Sequence, residues 1–147
     1  MVNPLIEAAQ SGNLDEVKRL INQGADIHAE NDKALLLSSY EGHFDIVKFL
    51  IEKGADTRAE NSRALGLACY EGHFDVVKLL VQNGADIHAN NENSLHLACE
   101  IGSLEIVKFL VKNGSNIQAQ NNLAIHYAFD YEHYEIVDYL KQNGALL

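Results

Sequence analysis

The chain has little of what usually announces a chemistry. Only 2 of its 147 residues are cysteine. Cys69 and Cys99 stand thirty apart, a spacing that makes neither a disulfide framework nor a zinc motif. Cations are scarce: 11 Lys and Arg face 21 Asp and Glu, a formal net charge of −10. Phosphate contacts need clustered Lys and Arg, so a general nucleic-acid binder is excluded. Docking on an anionic membrane surface is opposed for the same reason. No run approaches the ~20 apolar residues of a membrane-spanning helix. The opening "MVNPLIEAAQSGN" lacks the basic start and apolar stretch of a signal peptide. No glycine-rich phosphate loop and no paired-carboxylate motif occurs. These absences lead to the expectation of a soluble, intracellular, cytoplasmic chain without catalytic residues, metal or cofactor.

What is present is an ordinary globular composition, 47% hydrophobic and 22% charged, written as a repeat. "EGHFDIVKFLIEKGAD" at 41–56 returns as "EGHFDVVKLLVQNGAD" at 71–86. The Gly-Ala-Asp triplet stands at 24–26, 54–56 and 84–86, and loosely at Gly114-Ser115-Asn116 and Gly144-Ala145-Leu146. A fixed period of this size means a stacked array. One domain over 1–147 is expected, with units at about 1–32, 33–62, 63–92, 93–122 and 123–147.

Each unit reads as two helices. The first has a narrow face at i, i+3, i+4 and i+7: Leu35, Ser38, Ser39 and Gly42, then Leu65, Ala68, Cys69 and Gly72, then Leu95, Ala98, Cys99 and Gly102. One large residue followed by small ones lets another helix approach, and the glycine ends the helix by accepting φ > 0. The second helix runs about ten residues, as from Phe44 to Lys53. Asp15, Asp45, Asp75, Glu105 and Glu135 sit in its first turn, where they complement the helix dipole. Lys18, Lys48, Lys78 and Lys108 follow three residues on and are expected to pair with them. The connector from Gly54 to Arg63 shows no helical pattern. One helix pair cannot bury its apolar face alone, so neighbours must stack.

"SLHLACEIGSLEIVKFLVKNGSN" at 94–116 resembles the ankyrin repeat, whose pattern is Thr-Pro-Leu-His-x-Ala-Ala-x-x-Gly-His, an apolar helix and Gly-Ala-Asp. The resemblance covers all five units. It implies an all-α solenoid of five helix-turn-helix units that binds other proteins and has no catalysis of its own. The units have 30 residues where the family has 33, and the loss falls in the connector. "AENS", "ANNE" and "AQNN" replace the Asp-x-x-Gly turn, so short connector fingers with little β-hairpin are expected. Shortened arrays of this kind resemble those of giant viruses of amoebae, for which the cytoplasm would be the host's.

In the fifth unit Lys141 replaces Ile51, Val81 and Val111, Phe129 replaces the small residue, and Glu132 replaces the glycine. Together with Glu7 in the first unit, these changes lead to the expectation of a complete, capped array. Leu146-Leu147 lies outside that pattern.

His43 and His73 fill the Gly-His place. His28 and His88 lie two units apart, roughly 20 Å at ~10 Å per helix pair. That is too far to share one zinc ion, whose ligands stand about 2 Å away. Cys69 and Cys99 fall on the packing face and read as buried, inert thiols.

The ankyrin pattern leaves two variable positions after the small pair of helix one, facing the concave groove. Here they hold Gln10-Ser11, Tyr40-Glu41, Tyr70-Glu71, Glu100-Ile101 and Asp130-Tyr131. Stacking would make a ladder of Tyr40 and Tyr70 beside an acidic strip of Glu41, Glu71, Glu100 and Asp130. Tyr40, Glu41, Tyr70, Glu71, Glu100, Ile101, Asp130 and Tyr131 are the candidate partner-binding residues, aided by the connector tips at 30–33, 60–63 and 90–93. Tyrosines add contact area at low entropy cost, and an acidic groove suits a Lys/Arg-bearing peptide or helix. The chain is expected to act as a monomer. The alternative is a spacer or assembly element whose groove is no specific site. An enzyme built on the array has no constellation behind it.

Overall fold

The left-handed backbone of Gly42, at φ 77°, stops one helix and starts the next within two residues. A computed structural model describes residues 1–147 and contains ten helices and no strand. They are α1 (Pro4–Gln10), α2 (Leu14–Asn22), α3 (Ala29–Glu41), α4 (Phe44–Glu52), α5 (Ala59–Glu71), α6 (Phe74–Gln82), α7 (Ala89–Ile101), α8 (Leu104–Lys112), α9 (Ala119–Asp130) and α10 (Tyr134–Gln142). Each odd-numbered helix pairs with the even-numbered helix after it.

The apolar spacing of each pair fixes its packing. Leu5, Leu35, Leu65, Leu95 and Ile125 are the large anchors of the odd helices, and each is buried. The small residues one turn on, Ala8-Ala9, Ser38-Ser39, Ala68-Cys69 and Ala98-Cys99, are also buried and let neighbouring odd helices approach closely. Ser38 turns its hydroxyl back to the Ala34 carbonyl at 2.8 Å, so a polar group sits in this layer with its bond satisfied. The even helices contribute Val47 and Leu50, Val77 and Leu80, Val107 and Leu110, Val137 and Leu140, all buried. The odd helices pack on one another far more densely than the even ones do.

The connectors are short and strandless, as expected, and they have a defined backbone. In place of a patternless link, residues 30–32, 60–62, 90–92 and 120–122 each form a tight left-handed turn, with φ between 48° and 68°. Such a turn costs about 1 kcal/mol per non-glycine residue. Asn occupies six of the twelve positions (31, 61, 90, 91, 121 and 122) and tolerates this region best. Hydrogen bonds hold the turn. The Asp26, Asp56, Asp86 and Asn116 side chains each accept the backbone N–H two residues on, at 2.8–3.0 Å. The third turn residue then ties the next connector: Asp32, Ser62 and Asn122 accept the N–H of Asp56, Asp86 and Leu146 at 2.8, 2.8 and 3.1 Å. The turn is short and strandless, as the missing three residues require.

The expected Asp–Lys pairs along the even helices do not form. Lys18 lies 5.9 Å from the Phe49 ring centre, Lys78 4.5 Å from that of Phe74, and Lys108 5.7 Å from that of Tyr139. An exposed i,i+3 ion pair is weak enough for an aromatic face to win the ammonium. In the fifth unit Lys141 is exposed, Phe129 is 48% exposed and Glu132 keeps the left-handed φ of the glycine it replaces, 62°.

Candidate partner-binding surface

The C-terminal turns of the odd helices carry the candidate residues. Tyr40, Tyr70 and Tyr131 are 36, 46 and 51% exposed. Glu41, Glu71 and Asp130 are exposed, and Glu100 is half-buried. The separate ladder and strip expected from the sequence are interleaved. The Tyr131 hydroxyl donates to the Glu100 carboxylate at 3.2 Å, across two units. The Glu71 carboxylate stands beside the Tyr40 hydroxyl, also across two units. It pushes that phenol above its ordinary range, with smaller contributions from Glu41 and Tyr70. Glu100 does the same to Tyr131, where Tyr70 again adds a little.

Ile101 is the apolar member of the candidate set. It is half-buried, and its Cδ1 lies 3.5 Å from where a Cβ on Gly72 would stand.

Histidine supplies a set of ties that the sequence did not reveal. His43, His73 and His133 donate from Nε2 to the carbonyls of Gln10, Tyr40 and Glu100, at 2.9, 2.9 and 2.8 Å. Each ring lies over the glycine of the preceding unit. A Cβ on Gly12, Gly42 or Gly102 would meet it at 2.8, 2.6 and 2.5 Å. Ser103 occupies the fourth such position and makes no tie. The only signal in the sequence was the repeated Gly-His pair, because the acceptor is backbone and carries no letter.

No three His, Cys, Asp or Glu side chains stand close enough to share a metal ion. Cys69 and Cys99 are fully buried, and desolvation pushes both thiols up to about 12. Protonated, buried sulfur is a poor nucleophile and a poor ligand. No helix is long and apolar enough to cross a membrane.

The model of the ankyrin-repeat family, described as ankyrin repeats (3 copies), matches residues 5–91 and 65–146. The chain belongs to the ankyrin-repeat family. No curated protein matches it. Ankyrin repeats are generally protein–protein interaction modules, and this ankyrin array offers a side-chain surface that stays exposed after the stack has buried its small-residue faces.

Proposed function

We propose that the chain is a non-catalytic protein-binding module that captures a basic peptide or helix on the surface made by Tyr40, Glu41, Tyr70, Glu71, Glu100, Ile101, Asp130 and Tyr131. One observation carries this reading: of three exposed tyrosines, Tyr40 and Tyr131 are held beside carboxylates that reach across from the adjacent unit. A side chain fixed before binding loses less entropy on binding. Tyrosine contributes area at low cost, and the net charge of −10 draws a cationic segment in. The array acts as one five-unit platform and as a monomer, in the cytoplasm. In the competing reading the array is a spacer and this surface is merely solvated.

The test is capture of proteins from a lysate by the wild-type chain and by Tyr40→Ala with Tyr70→Ala, identified by mass spectrometry. The double variant should lose the captured set while Tm stays nearly unchanged, because both rings are largely outside the core. The lost proteins should bear Lys/Arg-rich segments and should elute as salt is raised. Capture that ignores both tyrosines and salt would favour the spacer.

A further inference from the structure

One position in the odd helices has no side chain. Gly66 stands where the second unit has Leu36 and the fourth has His96, both buried. Its absent side chain leaves a cavity of about 170 Å³ between the third and fourth units. The cavity is floored by Gly66, walled by Leu67 and Leu97, and rimmed by Asn61, Asn90 and Asn93. It is smaller than the ~300 Å³ at which small-molecule sites begin, and it equals several waters' share of liquid volume at ~30 Å³ each. One long side chain fits it; a cofactor does not.

The rim decides which side chain. Ser62 also lines the cavity, but its hydroxyl is engaged by the Asp86 N–H at 2.8 Å. The Arg63 guanidinium is held by Glu60 at 2.7 Å, so the charges at the mouth cancel. What remains is neutral: three carboxamides, each both donor and acceptor, with the small hydroxyls of Ser62 and Ser94 beside them. The Asn93 Nδ2 leans over the notch, 3.4 Å from where a Cβ of Gly66 would stand. A cation or a carboxylate entering here finds no net counter-charge to offset the loss of its hydration. An apolar side chain strips water from the carboxamides and returns no hydrogen bond. A carboxamide answers all three conditions, and glutamine has the methylenes to lie between Leu67 and Leu97.

We infer that the Gly66 notch is the anchor pocket of the partner-binding groove and takes a glutamine side chain of the bound segment. This rests on the groove reading above. Tyr70 and Glu71 lie three and four residues beyond Leu67, and Glu100 lies three beyond Leu97. They therefore follow the notch on the same helix faces, one turn away. The partner then carries its Lys or Arg about one helical turn from the glutamine.

Random peptides displayed on phage and selected on the immobilised full chain test this. The recovered peptides should share a glutamine with Lys or Arg three or four positions away. They should bind Gly66→Leu at least about tenfold more weakly. Gly66→Leu should fold, because its Cβ meets only ordinary contacts and Leu36 fills the same place, and its Tm should rise. Gly66→Ala, a smaller filling, should weaken binding less. Peptides that bind the wild type and Gly66→Leu alike, yet lose Tyr40→Ala with Tyr70→Ala, would overturn the anchor and leave the groove standing. Indifference to both variants, or no recovered peptide, would overturn both. A shared Arg, Asp or Leu in place of glutamine would overturn the chemistry assigned to the pocket.

Discussion

The Tyr131 hydroxyl donates to the Glu100 carboxylate at 3.2 Å, joining the fifth unit to the fourth through side chains that both reach the surface. Tyr40 and Glu71 repeat the relation between the second and third units. A carboxylate that accepts the phenol's hydrogen bond favours the neutral phenol, and it also opposes a second negative charge beside it, so ionisation is harder. Replacing Glu100 by Gln should bring the Tyr131 phenol down toward the ordinary tyrosine value of about 10. Replacing Glu71 by Gln should do so for Tyr40. Ultraviolet titration of the phenols, one variant at a time, checks this. An unchanged titration curve would show that the pairs do not persist in solution.

Gly42 and Gly72 share a left-handed φ, 77° and 78°, but only Gly42 lies under a histidine ring. Gly72→Ala should cost about 1–2 kcal/mol, the backbone term alone. Gly42→Ala must also displace His73 and break its bond to the Tyr40 carbonyl, a further ~1 kcal/mol. Denaturant unfolding of the two variants reads the difference directly. Equal losses would mean that the histidine ties contribute nothing.

Two histidines of one helix, His88 at the start of α7 and His96 within it, should bend the stability curve in opposite senses. Glu92 and then Asp86 raise His88 above its ordinary value of about 6.5, desolvation opposing them. Its contribution is fully present below about pH 6.5 and is lost as pH rises through the higher folded-state value. Burial lowers His96, against a smaller upward pull from Glu92. Its contribution is present above about pH 6.5 and is lost as pH falls through the lower folded-state value. Tm measured from about pH 5 to about pH 8 should therefore show His88→Gln losing relative stability on the acid side. His96→Leu should gain there. The same shift in both variants would contradict the assignment.

Much of this fold was legible because repetition is a strong signal. The thirty-residue period, the small residues after each leucine and the glycine stops lead to the helix pairs without any tertiary knowledge. The connectors were not legible. A left-handed turn without glycine has no letter of its own, and asparagine hints at it only once the backbone is known. The lysines were misassigned because the nearest acid along the helix was visible, whereas Phe49 and Tyr139 come from the adjacent unit. The tyrosines and acids of the proposed surface could be read as neighbours, but not as interleaved partners, since that depends on the offset between stacked helices. Gly66 is one letter in the sequence; only its neighbours turn it into a space.

The histidine ties each span 33 residues of sequence, and the connector ties between backbone and side chain span 24. No hydrogen bond in the chain reaches further. Every module is therefore informed only by the one before and the one after. Such an architecture has no inherent length: it could gain or shed whole modules as beads are added to a string, while the chemistry of any single groove position stayed local to its two flanking modules.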